Sequence, residues 1–301
     1  MPELDPDATG FVELPAPIDL ALTLAPVAHG RGDPTIRIGP DGVWRATRMP
    51  SGPATVRLRA ADGGVAVSAW GPGAAAAVEG AADLVGAHDD PGALVPQHRL
   101  IGELVHRFPG LRLPRTNRPF DALLPAICEQ KVTGIQARAA FRAIIAAHGE
   151  PAPGPGNLRL PPAPATLAAL PYFAFHRFGL ERRRADLIRR AAQLAPRIEQ
   201  VAPADAYARL GAVPGIGPWT LAEVGRIAFG DPDAISMGDY HLPNLVAWAL
   251  VREPRADDAR MLELLEPYRG QRGRVQRLLE VSGIGAPRYG PRMYPQRMAD
   301  M

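Results

Sequence analysis

Residues 210–244 read LGAVPGIGPWTLAEVGRIAFGDPDAISMGDYHLPN and carry the clearest pattern in the chain. They predict a helix, a tight turn rich in Gly and Pro at residues 214–218, and a second helix. A short apolar loop follows and ends at a single carboxylate, Asp239. The pattern indicates a backbone turn that grips a phosphate, with an acid about twenty residues later that is placed to do chemistry beside it.

Glycines give this turn the backbone freedom that it needs. Gly211, Gly215 and Gly217 accept positive φ, and Pro218 suits the first turn of a helix, where its missing N–H costs nothing. The free N–H groups of Gly215, Gly217 and the following turn then lie at the positive end of a helix, which favours an anion. Such a site holds a nucleic-acid backbone without reading its bases. An ordinary helix corner has the same composition, so the turn alone leaves both interpretations open.

The motifs of this stretch resemble those of the helix-hairpin-helix DNA glycosylase superfamily, in which a hairpin and a Gly/Pro-rich loop precede an aspartate. PGIGPWTLAEV (214–224) is similar to the hairpin, and AISMGDYHL (234–242) is similar to the loop and its aspartate. Segments at residues 120–145, 179–192 and 264–280 are similar to other core helices of the superfamily. The strand-rich amino-terminal region fits the DNA-3-methyladenine glycosylase II branch, the AlkA-type enzymes.

The length and the patterning predict an α+β fold class in two parts. The chain has 301 residues and is 47% hydrophobic, which is enough for one large or two medium domains. An antiparallel sheet with a covering helix (TBP-like) is expected first, and an all-α helix-hairpin-helix core second. The predicted parts are a flexible tail at 1–12, an N-terminal α/β domain at 13–104, a helical glycosylase domain at 105–286 and a flexible basic tail at 287–301.

Alternating apolar residues separated by Gly, Pro and Asp predict the strands of the sheet. The predicted strands lie at residues 18–24, 35–39, 42–48, 54–60 and 65–71, and an Ala-rich helix is predicted at 73–85. Helical periodicity dominates from residue 102 onward.

Charge and cysteine content exclude several classes of protein. The formal net charge is +3 and the pI is near 9.3, so the chain is mildly basic. Cys128 is the only cysteine, which excludes a disulfide framework and the four-cysteine iron–sulfur cluster of some glycosylases. We expect no required cofactor. The sequence shows no signal peptide and no apolar run of transmembrane length, which favours a cytoplasmic monomer that binds double-stranded DNA and no membrane.

The resemblance places Asp239 at the position of the catalytic aspartate. Breaking an N-glycosidic bond develops positive charge on the sugar, and a nearby carboxylate stabilises that charge or activates a water. The alternative role of Asp239 is to cap the helix that begins just after it. The hairpin upstream of Asp239 favours the catalytic role.

Trp219 stands where superfamily members that also cut the strand have a lysine. The only lysine is Lys131, so the resemblance implies an enzyme that releases the base and leaves an abasic site. The indole offers a π face to a cationic alkylated base such as 3-methyladenine or 7-methylguanine. Tyr268 is a second candidate for the wall of the base pocket. Packing in the core is the alternative for both aromatic side chains.

Superfamily members turn the damaged nucleotide out of the duplex and fill the gap with a residue that follows a glutamine. Here the glutamine is Gln130 and the filling residue is Lys131, where many members of the branch have an apolar wedge. Lys131 contacts a phosphate or a base edge instead, or it is a solvated surface lysine. The resemblance implies further DNA contacts from Thr133, Gly215, Gly217 and Thr220.

Glu223 follows Trp219 by one helical turn, where close relatives have an aromatic residue in the base pocket. A carboxylate there binds an amino-bearing or cationic base, or it faces solvent. This departure leaves open whether the chain removes alkylated bases, deaminated or oxidised bases, or only senses lesions without catalysis. A sensor has no need of a carboxylate that repels phosphate, so Asp239 favours an enzyme.

The hairpin also implies an ion. The backbone carbonyls of Gly211, Val213 and Ile216 match the superfamily positions that coordinate a monovalent cation, Na⁺ or K⁺. Such an ion helps to fix the hairpin and bridges to phosphate. The alternative is that these carbonyls bind water or amides at the helix end.

Overall fold

Five antiparallel strands form the sheet that the sequence predicts near the amino terminus. The computed structural model describes residues 4–199 and 201–287. The strands are β1 (Ala8–Glu13), β2 (Ile36–Gly39), β3 (Gly42–Met49), β4 (Gly52–Ala61) and β5 (Gly64–Trp70), in the order β1-β5-β4-β3-β2. Successive strands from β2 to β5 are joined by tight turns, which makes them a meander.

Two short segments near the amino terminus differ from the prediction. Residues 8–12, expected to be part of a flexible tail, belong to β1, which pairs with β5 and buries Val12. Residues 18–24, predicted as a strand, contain helix α1 (Leu20–Leu24), because the Asp19 carboxylate caps it by accepting from the Leu22 N–H at 2.9 Å. In a segment this short, apolar residues four positions apart fit either structure.

The Ala-rich segment after β5 covers one part of the sheet. It forms helices α2 (Ala74–Glu79) and α3 (Ala81–Leu84), where the sequence predicts a single helix at 73–85. The break falls at Gly80, which ends α2 and begins α3. The sheet and its covering helix confirm the predicted α+β fold class.

The rest of the described chain is helical, apart from its connecting loops. The α-helices are α4 (Arg99–Arg107), α5 (Pro119–Glu129), α6 (Gly134–His148), α7 (Pro164–Ala169), α8 (Arg182–Ile198), α9 (Pro203–Gly211), α10 (Pro218–Val224), α11 (Leu242–Val251), α12 (Asp258–Leu265) and α13 (Arg272–Val281). A π-helical turn at Gly225–Phe229 extends α10. None of the helices in the described residues has the length and apolar composition needed to span a membrane. The basic tail expected at 287–301 lies outside the described residues from residue 288 onward.

The apolar core is divided into two main clusters, and this division positions the candidate site. The first cluster joins the sheet to α5, α6, α8, α9 and α10. The second joins α4 to α11, α12 and α13. Helix α4 therefore packs with the carboxy-terminal helices, although it crosses residue 104, where the sequence places the end of the first domain. The α10 hairpin and the loop before α11 come from different clusters and meet between them.

Candidate active site

The hairpin between α9 and α10 has the predicted position, but only one of its three glycines has the predicted positive φ. Gly215 has φ of 101°, in the left-handed region that favours glycine. Gly217 has φ of −100° and Gly211 is the last residue of α9, so neither has the positive φ expected from the sequence. A Cβ added at Gly217 would meet no atom within 4 Å, which leaves this side of the turn open to a partner.

Hydrogen bonds from neighbouring helices hold the hairpin in place. The Gln130 Nε2 donates to the Gly215 carbonyl and to the Thr220 Oγ1, both at 3.0 Å. The Arg190 Nη2 on α8 donates to the Pro214 carbonyl at 3.1 Å. Thr220 is only 2% exposed, so its side chain supports the hairpin from inside, and Gln130 acts through the hairpin in the same way.

The amides of the turn are available for a ligand. In residues 201–287, no backbone carbonyl accepts a hydrogen bond from the N–H groups of Gly215, Gly217, Trp219 or Thr220. The first N–H groups of a helix have no partner within the helix and carry partial positive charge. The hairpin therefore offers a small group of donors to an anion.

Asp239 caps a helix and also faces the hairpin, so its capping role is observed and its catalytic role stays a prediction. Its Oδ1 accepts from the backbone N–H groups of His241 and Leu242 at 2.7 and 2.8 Å, which caps the start of α11. Its Oδ2 accepts from the Trp219 indole N–H at 3.3 Å. Gly238, with φ of 84°, makes the turn that presents this half-buried carboxylate toward the hairpin. The cap fixes one oxygen and leaves the other beside the indole.

Glu223 belongs to a polar network and does not simply face solvent. Its Oε1 accepts from the Ser236 hydroxyl at 2.5 Å and from the Arg226 Nη1 at 3.1 Å. Arg226 also pairs with Glu280 on α13 at 2.7 Å. The network ties α10 to the loop that carries Asp239, and it leaves the Glu223 Oε2 without a partner among the described residues.

Tyr268 is a core residue, which corrects its predicted place in the base pocket. It is 2% exposed, and its hydroxyl accepts from the backbone N–H groups of Gln97 and His98 at 3.2 and 2.9 Å. The ring packs in the cluster of α4 and α11–α13, and burial raises the pKa of the phenol. Of the two aromatic candidates, only Trp219 lies beside Asp239.

The turn between α5 and α6 presents Lys131 to solvent. Lys131 has φ of 56°, an uncommon left-handed conformation for this residue type, and its ammonium has no partner within the described residues. Thr133 forms a capping box with Gln136, whose backbone N–H donates to the Thr133 Oγ1 at 3.4 Å. The Thr133 hydroxyl is thus already engaged in starting α6.

Glu129 is a potential site residue that the sequence analysis did not identify. It ends α5, next to Gln130, and makes no hydrogen bond or ion pair in the described part of the chain. Burial, Glu223 and Asp239 raise its pKa to about 7, and Arg138 opposes the shift. No sequence signal marks it, because the burial of a helix-end glutamate depends on what packs over it.

The carbonyls proposed to bind a cation fit that role in part. No backbone N–H of the described residues donates to the Gly211 or Ile216 carbonyl outside regular helices, while the Val213 carbonyl accepts from the Ile216 N–H at 3.0 Å. A carbonyl oxygen has two lone pairs, so all three retain acceptor capacity. The described residues contain no cluster of His, Cys, Asp and Glu suited to a metal ion.

The fold of this chain matches solved structures of known proteins, although its sequence does not identify a family. No family model and no curated protein matches the chain in sequence. A 3-methyladenine DNA glycosylase from Archaeoglobus fulgidus matches with a TM-score of 0.74 at 18% identity, over 90% of this chain and 97% of that one. The fold is that of the helix-hairpin-helix DNA glycosylases.

Two further solved structures support the same assignment of the fold. An 8-oxoguanine glycosylase/lyase from Clostridium acetobutylicum, in complex with DNA, matches with a TM-score of 0.68 at 14% identity, over 92% of this chain and 97% of that one. A 3-methyladenine DNA glycosylase from Schizosaccharomyces pombe, in complex with abasic DNA, matches with a TM-score of 0.51 at 15% identity, over 66% and 98%. The fold that the resemblance implies is thereby confirmed.

Proposed function

We propose that this chain is a monofunctional DNA glycosylase that removes alkylated bases of the 3-methyladenine and 7-methylguanine class from double-stranded DNA. The observation that carries the proposal is the Asp239 carboxylate, capped at one oxygen and facing the Trp219 indole with the other. The glycosylase fold and the hairpin with unpaired amides support it.

In the proposed mechanism, the hairpin amides of Gly215 and Gly217 hold one phosphate of the damaged strand. The damaged nucleotide is turned out of the duplex so that its sugar lies against Asp239. As the N-glycosidic bond breaks, its electron pair leaves with the base, and the Asp239 Oδ2 stabilises the positive charge on the sugar. Water then adds to the sugar and loses a proton, which leaves an abasic site. Trp219 provides the face on which the departing cationic base stacks.

The residue types at the site support the proposed absence of strand cleavage. A lyase step through a lysine Schiff base needs a lysine amine at the site, and the only lysine, Lys131, lies in the exposed turn between α5 and α6. Trp219 occupies the position on α10 where strand-cutting relatives have their lysine. The chain therefore releases the base and stops there.

A monovalent cation at the hairpin completes the proposed phosphate site. The carbonyls of Gly211, Val213 and Ile216 are the residues that would hold Na⁺ or K⁺. The ion would add positive charge beside the hairpin amides. DNA binding is then expected to weaken when both ions are replaced by tetramethylammonium at constant ionic strength.

The proposal is tested by the release of free bases from methylated duplex DNA, separated by chromatography, together with a gel assay for strand cleavage. We expect 3-methyladenine or 7-methylguanine in the released fraction and uncut strands until the abasic sites are cleaved by alkali. Cleavage without alkali would contradict the monofunctional assignment, and Lys131→Ala would then show whether Lys131 supplies the amine.

Removal of deaminated or oxidised bases is a second candidate, and the match of the fold to an 8-oxoguanine glycosylase/lyase favours the oxidised ones. The same assay on duplexes that contain 8-oxoguanine or hypoxanthine separates this candidate from the first. Tight binding of methylated DNA with no release of any base would instead favour a lesion sensor.

A further inference from the structure

A cavity of about 160 Å³ lies between the loop after α1 and the helices α5, α6 and α10. Ala122, Ala126 and Glu129 line it from one face of α5, and the two alanines leave the space open. A cavity of roughly 150 Å³ is enough to hold benzene. This cavity is therefore large enough for the planar edge of a nucleobase.

Polar side chains without partners converge on this cavity. His29, Glu129 and Arg138 all line it, and none of their side chains makes a hydrogen bond or an ion pair within residues 4–199 and 201–287. Glu223 also lines it and keeps one carboxylate oxygen free. The four side chains are half-buried, so their polar atoms line the cavity and are open to a ligand that enters it.

The charges and hydrogen-bonding groups of these side chains indicate which ligand the cavity binds. Burial lowers the pKa of His29, and the nearby Asp33 carboxylate opposes this shift. Glu129 offers carboxyl oxygens, and Arg138, which packs across Gly30, offers guanidinium N–H groups on the same cavity. A carboxylate accepts from two neighbouring N–H groups, and a guanidinium donates to a carbonyl. The Watson–Crick edge of guanine is complementary to these groups, because its N1–H and 2-amino group donate and its O6 accepts.

The cavity adjoins the Asp239 site. Glu223, which lines the cavity, follows Trp219 by one turn of α10, and the Trp219 indole donates to Asp239. A base that stacks on Trp219 is thus within one helical turn of the polar lining. The base and the sugar of one flipped nucleotide are then read by two adjoining parts of the same site.

We propose that this cavity binds the Watson–Crick edge of a flipped-out guanine derivative, with Glu129 accepting from N1–H and the 2-amino group and Arg138 donating to O6. The proposal rests on the glycosylase function proposed above and narrows its substrate to modified guanines such as 7-methylguanine. Glu129 and Arg138 are specificity-determining residues in this arrangement.

The test compares two lesions that differ only in the 2-amino group, 7-methylguanine and 7-methylhypoxanthine, each placed in the same duplex. Binding is measured with the Asp239→Asn variant, so that no base release is needed. We expect at least about tenfold tighter binding of 7-methylguanine, the discrimination typical of a bidentate contact. Adding Glu129→Gln should bring the ratio close to one.

Two matched variants serve as controls. Arg138→Met should weaken the binding of both lesions and leave their ratio unchanged, because both carry O6. Glu79→Gln removes an exposed carboxylate on α2, away from the cavity lining, and should change neither affinity.

Equal affinity for the two lesions, or a preference that survives Glu129→Gln, would overturn the proposal and leave the cavity a water-filled space. The glycosylase function fails on a different result, which is wild-type protein that releases no base from methylated DNA. A lesion preference in binding without release would therefore keep the cavity assignment and reject the enzyme.

Discussion

The Asp239 side and the Glu129 side of the candidate site each present a carboxyl group, and the protein holds the two groups in opposite ways. Asp239 accepts from two backbone N–H groups at 2.7 and 2.8 Å and from the Trp219 indole at 3.3 Å. Glu129 has no hydrogen bond in the described part of the chain, and burial with two acidic neighbours raises its pKa to about 7.

The two carboxyl environments suit two different roles within one site. A carboxylate that stabilises a charge developing on the sugar is effective when its position is fixed before the reaction, and the α11 cap provides this for Asp239. A carboxyl group that reads a base needs free lone pairs until the ligand arrives, and Glu129 keeps them. Two titratable groups in different environments are a common sign of separate roles.

The largest effect is expected from Asp239→Asn. This substitution removes the charge of the carboxylate that the α11 cap holds in place, and it leaves Glu129 unchanged. The rate of base release in single-turnover assays should fall by about 10²–10³-fold, as for the loss of one strong electrostatic contact in other enzymes. Asparagine still accepts from the N–H groups of His241 and Leu242, so the cap on α11 and the melting temperature should be retained. Near-normal turnover would reject the role of Asp239 and reduce it to a helix cap.

Trp219→Phe should give a smaller loss, because it keeps an aromatic ring, although a smaller one, and removes the indole N–H that reaches Asp239. We expect base release to slow by about tenfold, the value of one hydrogen bond to a charged group. Trp219→Ala also removes the stacking surface and should slow release by a further factor of about ten. If Phe and Ala slow release equally, the indole N–H contributes and the stacking face does not.

Glu129→Gln should stabilise the protein, because Glu129, unlike Asp239, has no hydrogen bonds within the described residues to offset the burial of its charge. The folded-state pKa of Glu129 is about 7, above the reference value of 4.5, so its carboxyl costs stability as the pH rises from 4.5 through 7. Glutamine removes this cost, and we expect about 1–2 kcal/mol of added stability at pH 8 and almost none at pH 5. Burial is the largest cause of this raised pKa, Glu223 and Asp239 add to it, and Arg138 opposes it.

Thermal unfolding at the two pH values measures this effect. Glu79→Gln is the matched control, because its carboxylate is exposed and should give no difference at either pH. A Glu129 variant that melts at the wild-type temperature at pH 8 would place the ionised carboxyl in contact with water in solution.

The fold was largely predictable because its signals are local. Turn residues between alternating strands predict β2 to β5, and glycine and proline around residues 214–218 predict the hairpin. Where local signals conflict, the prediction failed. In residues 18–24 the alternation indicates a strand, but the Asp19 cap produces a helix. In the hairpin only Gly215 uses its positive φ, because backbone geometry depends on how α10 is docked.

The candidate site was predictable only where a motif marks it. Asp239 and Trp219 lie together because both belong to the hairpin stretch, which carries its own pattern. Tyr268 was predicted in the pocket but lies in the core, because aromatic residues of a core and of a pocket have the same sequence signature. Glu129 and Arg138 come together only through the packing of α5 and α6 against the loop after α1, and sequence spacing carries no information about that.

The smallest effect is expected from Lys131, which belongs to neither carboxyl side. Lys131→Ala removes the exposed ammonium from the turn between α5 and α6, and we expect DNA binding to weaken by about threefold. If the ammonium meets a phosphate, the slope of log affinity against log salt should become shallower by about one. Lys131→Gly removes the same charge and also relieves the positive φ, so it should match Ala in affinity and exceed it in stability. An unchanged salt slope would assign Lys131 to solvent, and the hold on DNA would then depend on the hairpin amides alone.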